Sequence, residues 1–375
     1  MECYREAIYA LAVPASLSSF GSIPKSFLRR QPHEGIFLMN IIELTRALID
    51  IESITGNEEQ VGHYLFDTLS GLAARFGGRV ERMEVEPRRF NVFAQFGDCP
   101  AVTLSTHMDT VPPFFASSED GENIYGRAAC DTKGIIASMI KAAEALLESG
   151  GTNLGLLFVV GEERNSAGAY QASRHPRGSR FLINGEPTEN LLALGSKGAL
   201  RYEIAASGRM AHSAYPELGE SAIEKLLDAL SAIRKVQLPV DELLGPSTLN
   251  IGTISGGRAP NIIPDAAKAE IMIRLVGDAT STDEAIRRAV EGKAAANEVL
   301  RIPALRLGAL AGFETTVVAY TTDIPAFGGT WGRPFLMGPG TIHVAHTLDE
   351  RVPKRQLLEA VEIYQRMVRQ LWNEK

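Results

Sequence analysis

Apolar runs of strand length that break off abruptly into charged segments constrain this chain more than any other feature. The run 101–105 ends in Thr-His-Met-Asp, 154–160 passes straight into Gly-Glu-Glu, and 180–184 stops at Gly-Glu-Pro. Between the first two, 134–147 has the apolar content and length of a buried helix, and 79–96 reads as strands ahead of them. Short continuous apolar runs suit strands buried on both faces, with helices supplying the cover. The pattern therefore predicts an α/β fold, a sheet flanked by helices. In such folds the loops leaving the strand ends carry the sites.

From about Ser196 the rhythm changes. Residues 199–206 read as strand, 221–234 as helix, 247–254 and 267–275 as strands, 282–296 as helix and 304–310 as strand. That βαββαβ order predicts a separate α+β domain with an antiparallel sheet over 196–305. From Thr316 the first pattern resumes and closes with a helix over 354–372, so the smaller domain is inserted into a larger one made of 39–195 and 306–375. Helical spacing begins only at Met39, with Ile41, Leu44, Ala47 and Leu48 in step. Residues 1–38 are expected to be a flexible arm or the product of a start codon chosen too far upstream. Their apolar stretch makes a poor secretory signal, because Glu2 and Glu6 offset Arg5, Pro14 interrupts it, and Lys25, Arg29 and Arg30 follow rather than precede it.

At 375 residues with 45% hydrophobic content, the chain can bury a sizeable core, and its length alone favours two domains or one large one. A net charge of -7 without any block of like charge argues against nucleic acid or an anionic membrane as the main partner. No run approaches the ~18 to 20 apolar residues that a membrane span needs. Three scattered cysteines, Cys3, Cys99 and Cys130, do not make a disulfide framework and fit a reducing compartment, so the expected location is cytoplasmic.

The strand-end loops hold residue types that bind metal. His107 and Asp109 sit in Ser-Thr-His-Met-Asp-Thr-Val-Pro-Pro, where a carboxylate near an imidazole can orient its second nitrogen. Asp131 lies in Gly-Arg-Ala-Ala-Cys-Asp-Thr-Lys-Gly, just before a helix. Glu162 and Glu163 follow a buried strand, Glu186 stands in Asn-Gly-Glu-Pro, and His346 in Ala-His-Thr-Leu-Asp-Glu after a Gly-Pro-Gly turn. Taken singly, an Asp before a helix is more often a cap, and a Glu pair more often a solvated surface. His33, His63 and His175 are left as structural or surface residues on the same ground. Coincidence shifts the balance, since two imidazoles and several carboxylates, all in loops after apolar runs, suit paired divalent ions.

These motifs, in this order, resemble the M20 family of metallopeptidases and deacylases, which includes acetylornithine deacetylase, succinyl-diaminopimelate desuccinylase, glutamate carboxypeptidase and aminoacylase. The resemblance covers the chain from Met39 onward, inserted domain included. It implies a catalytic domain with a mixed sheet and an inserted dimerisation, or lid, domain in a homodimer. It also implies two Zn²⁺ per chain, with Co²⁺ or Mn²⁺ as alternatives. By resemblance Asp131 bridges the two ions, His107 and Glu186 complete one site, and Glu163 and His346 the other. Glu162 matches the general base, Asp109 the residue that orients the histidine, and the Asp131–Thr132 peptide bond is expected to be cis. In the inserted domain, His212 matches a histidine that reaches the partner's site to stabilise the oxyanion, Asn261 is a further candidate there, and Arg274 matches an arginine that binds a substrate carboxylate. The implied activity is hydrolysis of the amide of an N-acyl amino acid or of a small peptide, and the sequence does not choose between them. A non-catalytic binding relative would have lost a ligand or the base, whereas all five ligands and Glu162 are present.

Overall fold

Helix formation starts where the sequence pattern does. In the computed structural model, which describes residues 39–374, helix α1 (Ile41–Ile49) opens on a capping box. The Asn40 side chain accepts from the backbone of Ile42 and Glu43, and the Glu43 carboxylate accepts from the Asn40 N–H. Helix α2 (Glu59–Phe76) ends at Gly77, whose φ of 73° is the left-handed stop that glycine takes freely. A hairpin follows, β1 (Gly78–Glu86) and β2 (Arg89–Phe96). The chain continues through β3 (Val102–His107), α3 (Gly134–Glu148), β4 (Leu154–Val159), α4 (Ala167–Arg174), β5 (Phe181–Asn184) and β6 (Leu192–Ser196).

It then leaves the sheet for β7 (Gly198–Ser207), α5 (Ala222–Ile233), β8 (Thr248–Gly256), β9 (Ala266–Leu275), α6 (Ala279–Val290) and β10 (Ala295–Ile302). The return is made by β11 (Leu305–Arg306), β12 (Thr315–Val318), β13 (Arg333–Leu336) and the long α7 (Lys354–Trp372).

The large sheet is nine-stranded and mixed, in the order β1-β2-β4-β3-β5-β13-β6-β11, with β12 also pairing β6. Strands β4, β3, β5 and β13 run parallel to one another. Every residue of β3 and β4 is buried; β4 is an unbroken apolar run, while β3 alternates Val102 and Leu104 with buried hydroxyl residues before His107. Helices α3 and α7 pack against each other within the main core, which includes Leu104, Ile136, Leu146, Phe158, Leu357 and Met367. The second sheet, β8-β9-β7-β10, is antiparallel throughout. Helices α5 and α6 share a separate core with it, built on Leu200, Tyr202, Leu226, Ile271, Ile273 and Ile286. The described chain thus has two layered units, each with its own apolar centre. Among the described residues no helix is long and apolar enough to cross a membrane.

One segment differs from expectation. The sequence predicts a helix to residue 296 and a strand over 304–310, but the helix ends at Val290 and the strand is Ala295–Ile302. Gly292, at φ 72°, turns the chain, and pairing with β7 draws the Ala294-Ala295-Ala296 run into the sheet despite its helical propensity. Residues 305–306 belong instead to the large sheet, against β6. The expected arm, 1–38, lies outside the described residues.

Candidate metal centre

The parallel strands deliver their cargo at one edge. His107 is the last residue of β3, Glu162 and Glu163 follow β4, and Glu186 follows β5, so all three loops leave the carboxyl ends of neighbouring strands. Asp131 arrives from a different direction, in an irregular turn at the head of α3 where it and Thr132 leave helical geometry; their peptide bond is cis, as the family resemblance implies. The Thr132 hydroxyl donates to the His107 carbonyl at 2.5 Å, pinning this turn to the end of β3. His346 comes from the loop before α7. Gly340, at φ 89°, lets that loop run against Cys130, because a Cβ there would lie 2.4 Å from the Cys130 Cβ.

The two imidazoles face opposite oxygens of one carboxylate. His107 Nε2 lies 3.0 Å from Asp131 Oδ1, and His346 Nε2 lies 3.2 Å from Asp131 Oδ2 and 3.0 Å from Glu163 Oε1. Potential ligand atoms of His107, Asp131 and Glu163 all fall within 4.8 Å of one another. Glu186 Oε2 is 4.0 Å from His107 Nε2, and its Oε1 is buried with no hydrogen-bond partner. The His107 Nδ1 is nearest the Asp109 backbone carbonyl, at 3.0 Å, with the Asp109 carboxylate 3.6 Å away. That carboxylate accepts instead from the backbone N–H groups of Glu162 and Glu163, at 3.0 and 3.2 Å, and from the Thr55 hydroxyl at 2.8 Å.

Relatives of this chain are numerous. A family model described as a peptidase dimerisation domain matches residues 194–298. A peptidase M20 domain-containing protein of Schizosaccharomyces pombe is 38% identical over 340 residues, covering 88% of this chain and 84% of the relative. The chain belongs to the peptidase M20 family. A "probable carboxypeptidase" of Aspergillus niger is 35% identical, over 96% of this chain and 95% of its own. Among solved structures, a tripeptidase of Staphylococcus aureus superposes with a TM-score of 0.73 at 21% identity, over 88% of this chain and 98% of that one. A dinuclear metal-binding M20 peptidase of Bacillus subtilis gives 0.65 at 17%, over 88% and 96%. As an M20 peptidase this chain is a hydrolase acting on peptide bonds.

The donor set fits the divalent ions that M20 peptidases bind. Burial pushes the Glu162 and Glu186 carboxyls well above their ordinary range, and it raises Glu163 as well. His346 is pushed up to about 10 by its contacts with Asp131 and Glu163. At His107 burial opposes the charge, but Asp131 and the surrounding carboxylates outweigh it and hold the ring well above the usual imidazole value. Burial likewise acts against the charge on Asp131, and the two imidazoles overcome it, holding that carboxyl below the usual range. Alone, such a cluster must retain protons on groups shaped to give up electron pairs. Divalent cations would satisfy such oxygens, and the orphaned Glu186 Oε1 would be within the chemistry they suit, that of mixed imidazole and carboxylate ligands.

A cavity of about 400 Å³ opens over this M20 centre. Asp131, Glu162, Glu163, Glu186 and His346 line it from the large unit, and Arg274, Leu300 and Ile302 line it from the strand ends of the inserted one. Arg274 is half-buried on β9, and burial pulls its pKa down. The cavity does not include His212 or Asn261. Those two meet elsewhere, on the short ribbon in which Ala211–His212 pairs with Ile262–Ile263, and the Asn261 carbonyl accepts from Ser213 at 3.0 Å. Sequence reasoning left out Tyr320 and Asp323. Tyr320 lines the cavity and donates to the Pro187 carbonyl at 2.9 Å, and Asp323 is buried nearby, pushed up to about 7 by burial. Both sit in Ala-Tyr-Thr-Thr-Asp, a segment whose composition marks only a loop.

Proposed function

We propose that this chain is a dinuclear zinc peptidase that releases an amino acid bearing a free carboxylate from the amide bond to its amino group. That scissile unit is common to an N-acyl amino acid and to the C-terminal end of a small peptide. The resemblance to a probable carboxypeptidase supports the peptide, with deacylation as the same reaction on a shorter acyl group. The observation that carries the reading is Asp131 presenting one oxygen to each imidazole, the arrangement a bridging carboxylate requires. His107 and Glu186 complete one site, and Glu163 and His346 the other. Zinc suits this set, and so do cobalt and manganese.

Held by these residues, a pair of divalent ions would make water nucleophilic at neutral pH and would polarise the scissile carbonyl. Glu162 takes the proton of that water and returns it to the leaving nitrogen, a role suited to a carboxyl whose pKa burial has raised. Asp109, by accepting from the backbone of both glutamates, sets the direction in which Glu162 projects. Arg274 receives the substrate carboxylate across the cavity, a task for the guanidinium fork. His212 of a second copy, with Asn261 beside it, supplies the oxyanion donor. Its Nδ1 accepts from the Ala214 N–H at 3.1 Å, which leaves the proton of the neutral ring on Nε2. The matched dimerisation domain supports that homodimer, and free Cys99 and Cys130 accord with a cytoplasmic location.

The test pairs elemental analysis of the purified chain with a panel of N-acetyl and N-succinyl amino acids and short peptides, each with a free or amidated C-terminus. The reading expects two ions per chain and turnover confined to free carboxylates. One ion per chain, or equal turnover of the amidated set, would overturn the corresponding half of it.

A further inference from the structure

The two sequence motifs that hold Asp131 and His346 each carry further charged residues with no part in the chemistry above, and the fold buries one from each, Arg127 and Glu350, together. Arg127 is 1% exposed and Glu350 fully buried, and Arg127 Nη1 lies 2.5 Å from Glu350 Oε2. The guanidinium is held in turn by the Pro113 carbonyl, 3.1 Å from Nε, and by the Phe115 ring, 5.0 Å away. The other Glu350 oxygen, Oε1, accepts from the Asp131 backbone N–H at 3.3 Å and faces the Cys130 thiol at 3.6 Å. Asp131 and Glu350 are 219 positions apart in the chain.

Asp131 lies where the backbone leaves helical geometry, so its buried N–H has no place in the α3 ladder and needs an acceptor from elsewhere. Glu350 is that acceptor, and it follows His346 in the same loop. Its backbone carbonyl also accepts from Gly126 at 3.1 Å, at the other end of the Asp131 turn. One side chain therefore fixes the residue that faces both imidazoles and ties it to the loop that brings one of them. A buried ion pair is weak evidence for stability, since apolar side chains of similar volume often serve as well. An acceptor aimed at one particular N–H is something apolar side chains do not replace. From this we infer that Glu350 is a positioning residue for the metal pair, holding the Asp131 carboxylate between its two sites, and that Arg127 keeps Glu350 aimed.

The inference rests on the reading of Asp131 as a shared ligand, and its test separates the two. Zn²⁺ binding is followed calorimetrically on the metal-stripped full chain, with thermal unfolding recorded in parallel, for wild type and two double variants. Arg127→Met with Glu350→Met removes both charges and the acceptor. Arg127→Met with Glu350→Gln removes both charges and keeps an oxygen for the Asp131 N–H. The expected result is a loss of about 10- to 100-fold in metal affinity for the methionine pair at near wild-type unfolding temperature, and recovery to within about threefold in the glutamine pair. Equal affinities in the two doubles overturn the positioning role. If the methionine pair does not fold, Glu350→Asp decides, because its shorter arm cannot span Arg127 and Asp131 together: wild-type affinity in that variant overturns the inference, and weakened affinity supports it. A wild-type isotherm with one site would instead remove the shared-ligand reading.

Discussion

At the scale of single residues, the proposed reaction divides the labour between adjacent glutamates, and substitution should expose the division. Glu163 touches His346 and has its own place in the ligand cluster, whereas Glu162 lines the cavity beside it. Glu162→Ala should leave the metal content near wild type and lower turnover by about a hundredfold or more, while Asp131→Ala should lower metal content and turnover together. Elemental analysis alongside initial rates distinguishes them, and near-normal turnover in the first variant would remove Glu162 as proton carrier. The same cluster makes metal loading pH-dependent. With His346 pushed up to about 10 and His107, Glu163 and Glu186 also raised, the metal-free site holds protons at neutral pH that ligands must shed to bind. Affinity should therefore fall as the pH drops from about 8 to about 6, with net proton release on binding at about pH 7. Calorimetry in buffers of unlike ionisation enthalpy counts those protons, and a release of zero would contradict the raised values.

Elements differ in how openly the sequence declares them. Strands β3 and β4 were legible because burial on both faces leaves few charges within them, β4 being apolar throughout and β3 mixing apolar with small hydroxyl residues, and their ends exposed the ligand loops in the same stroke. The boundary between α6 and β10 was not, because an alanine run with helical propensity is captured by pairing with β7, a contact no local pattern records. The Arg127–Glu350 pair escaped for a like reason: its partners are joined only by the tertiary fold, and each alone reads as a surface charge. Asp109 was legible as a carboxylate near an imidazole, but its hold on the backbone of the Glu162 loop joins segments that only the tertiary fold brings together. Arg274 tests what the inserted sheet contributes, for β9 carries it into the cavity between register partners Thr248 and Ala199. Arg274→Ala should raise KM for substrates with a free carboxylate by about 10- to 100-fold while changing kcat far less, and Arg274→Lys should recover only part of the loss. A fall confined to kcat would place the residue elsewhere in the reaction.

At the scale of the whole molecule, the position of His212 poses a geometric question that one chain does not answer. Within one chain it stands exposed beside Tyr215, outside the cavity that holds Arg274 and the ligand cluster. In the proposed reaction His212 serves as oxyanion donor from a second copy, and the segment that carries it lies inside the matched dimerisation domain. In a twofold dimer each active site would then combine Glu162 of one chain with His212 of the other. Two inactive variants, His212→Ala and Glu162→Ala, should accordingly complement each other when their subunits exchange. In a mixed dimer one site collects both defects and the other receives neither. With random and complete exchange about half of the dimers are mixed and each holds one intact site, so roughly a quarter of the wild-type activity should return. Exchange is checked independently by mass on differently tagged chains. Proven exchange without recovered turnover would mean that His212 acts within its own chain or takes no part in catalysis, and a stably monomeric variant with full activity would lead to the same conclusion by a separate route.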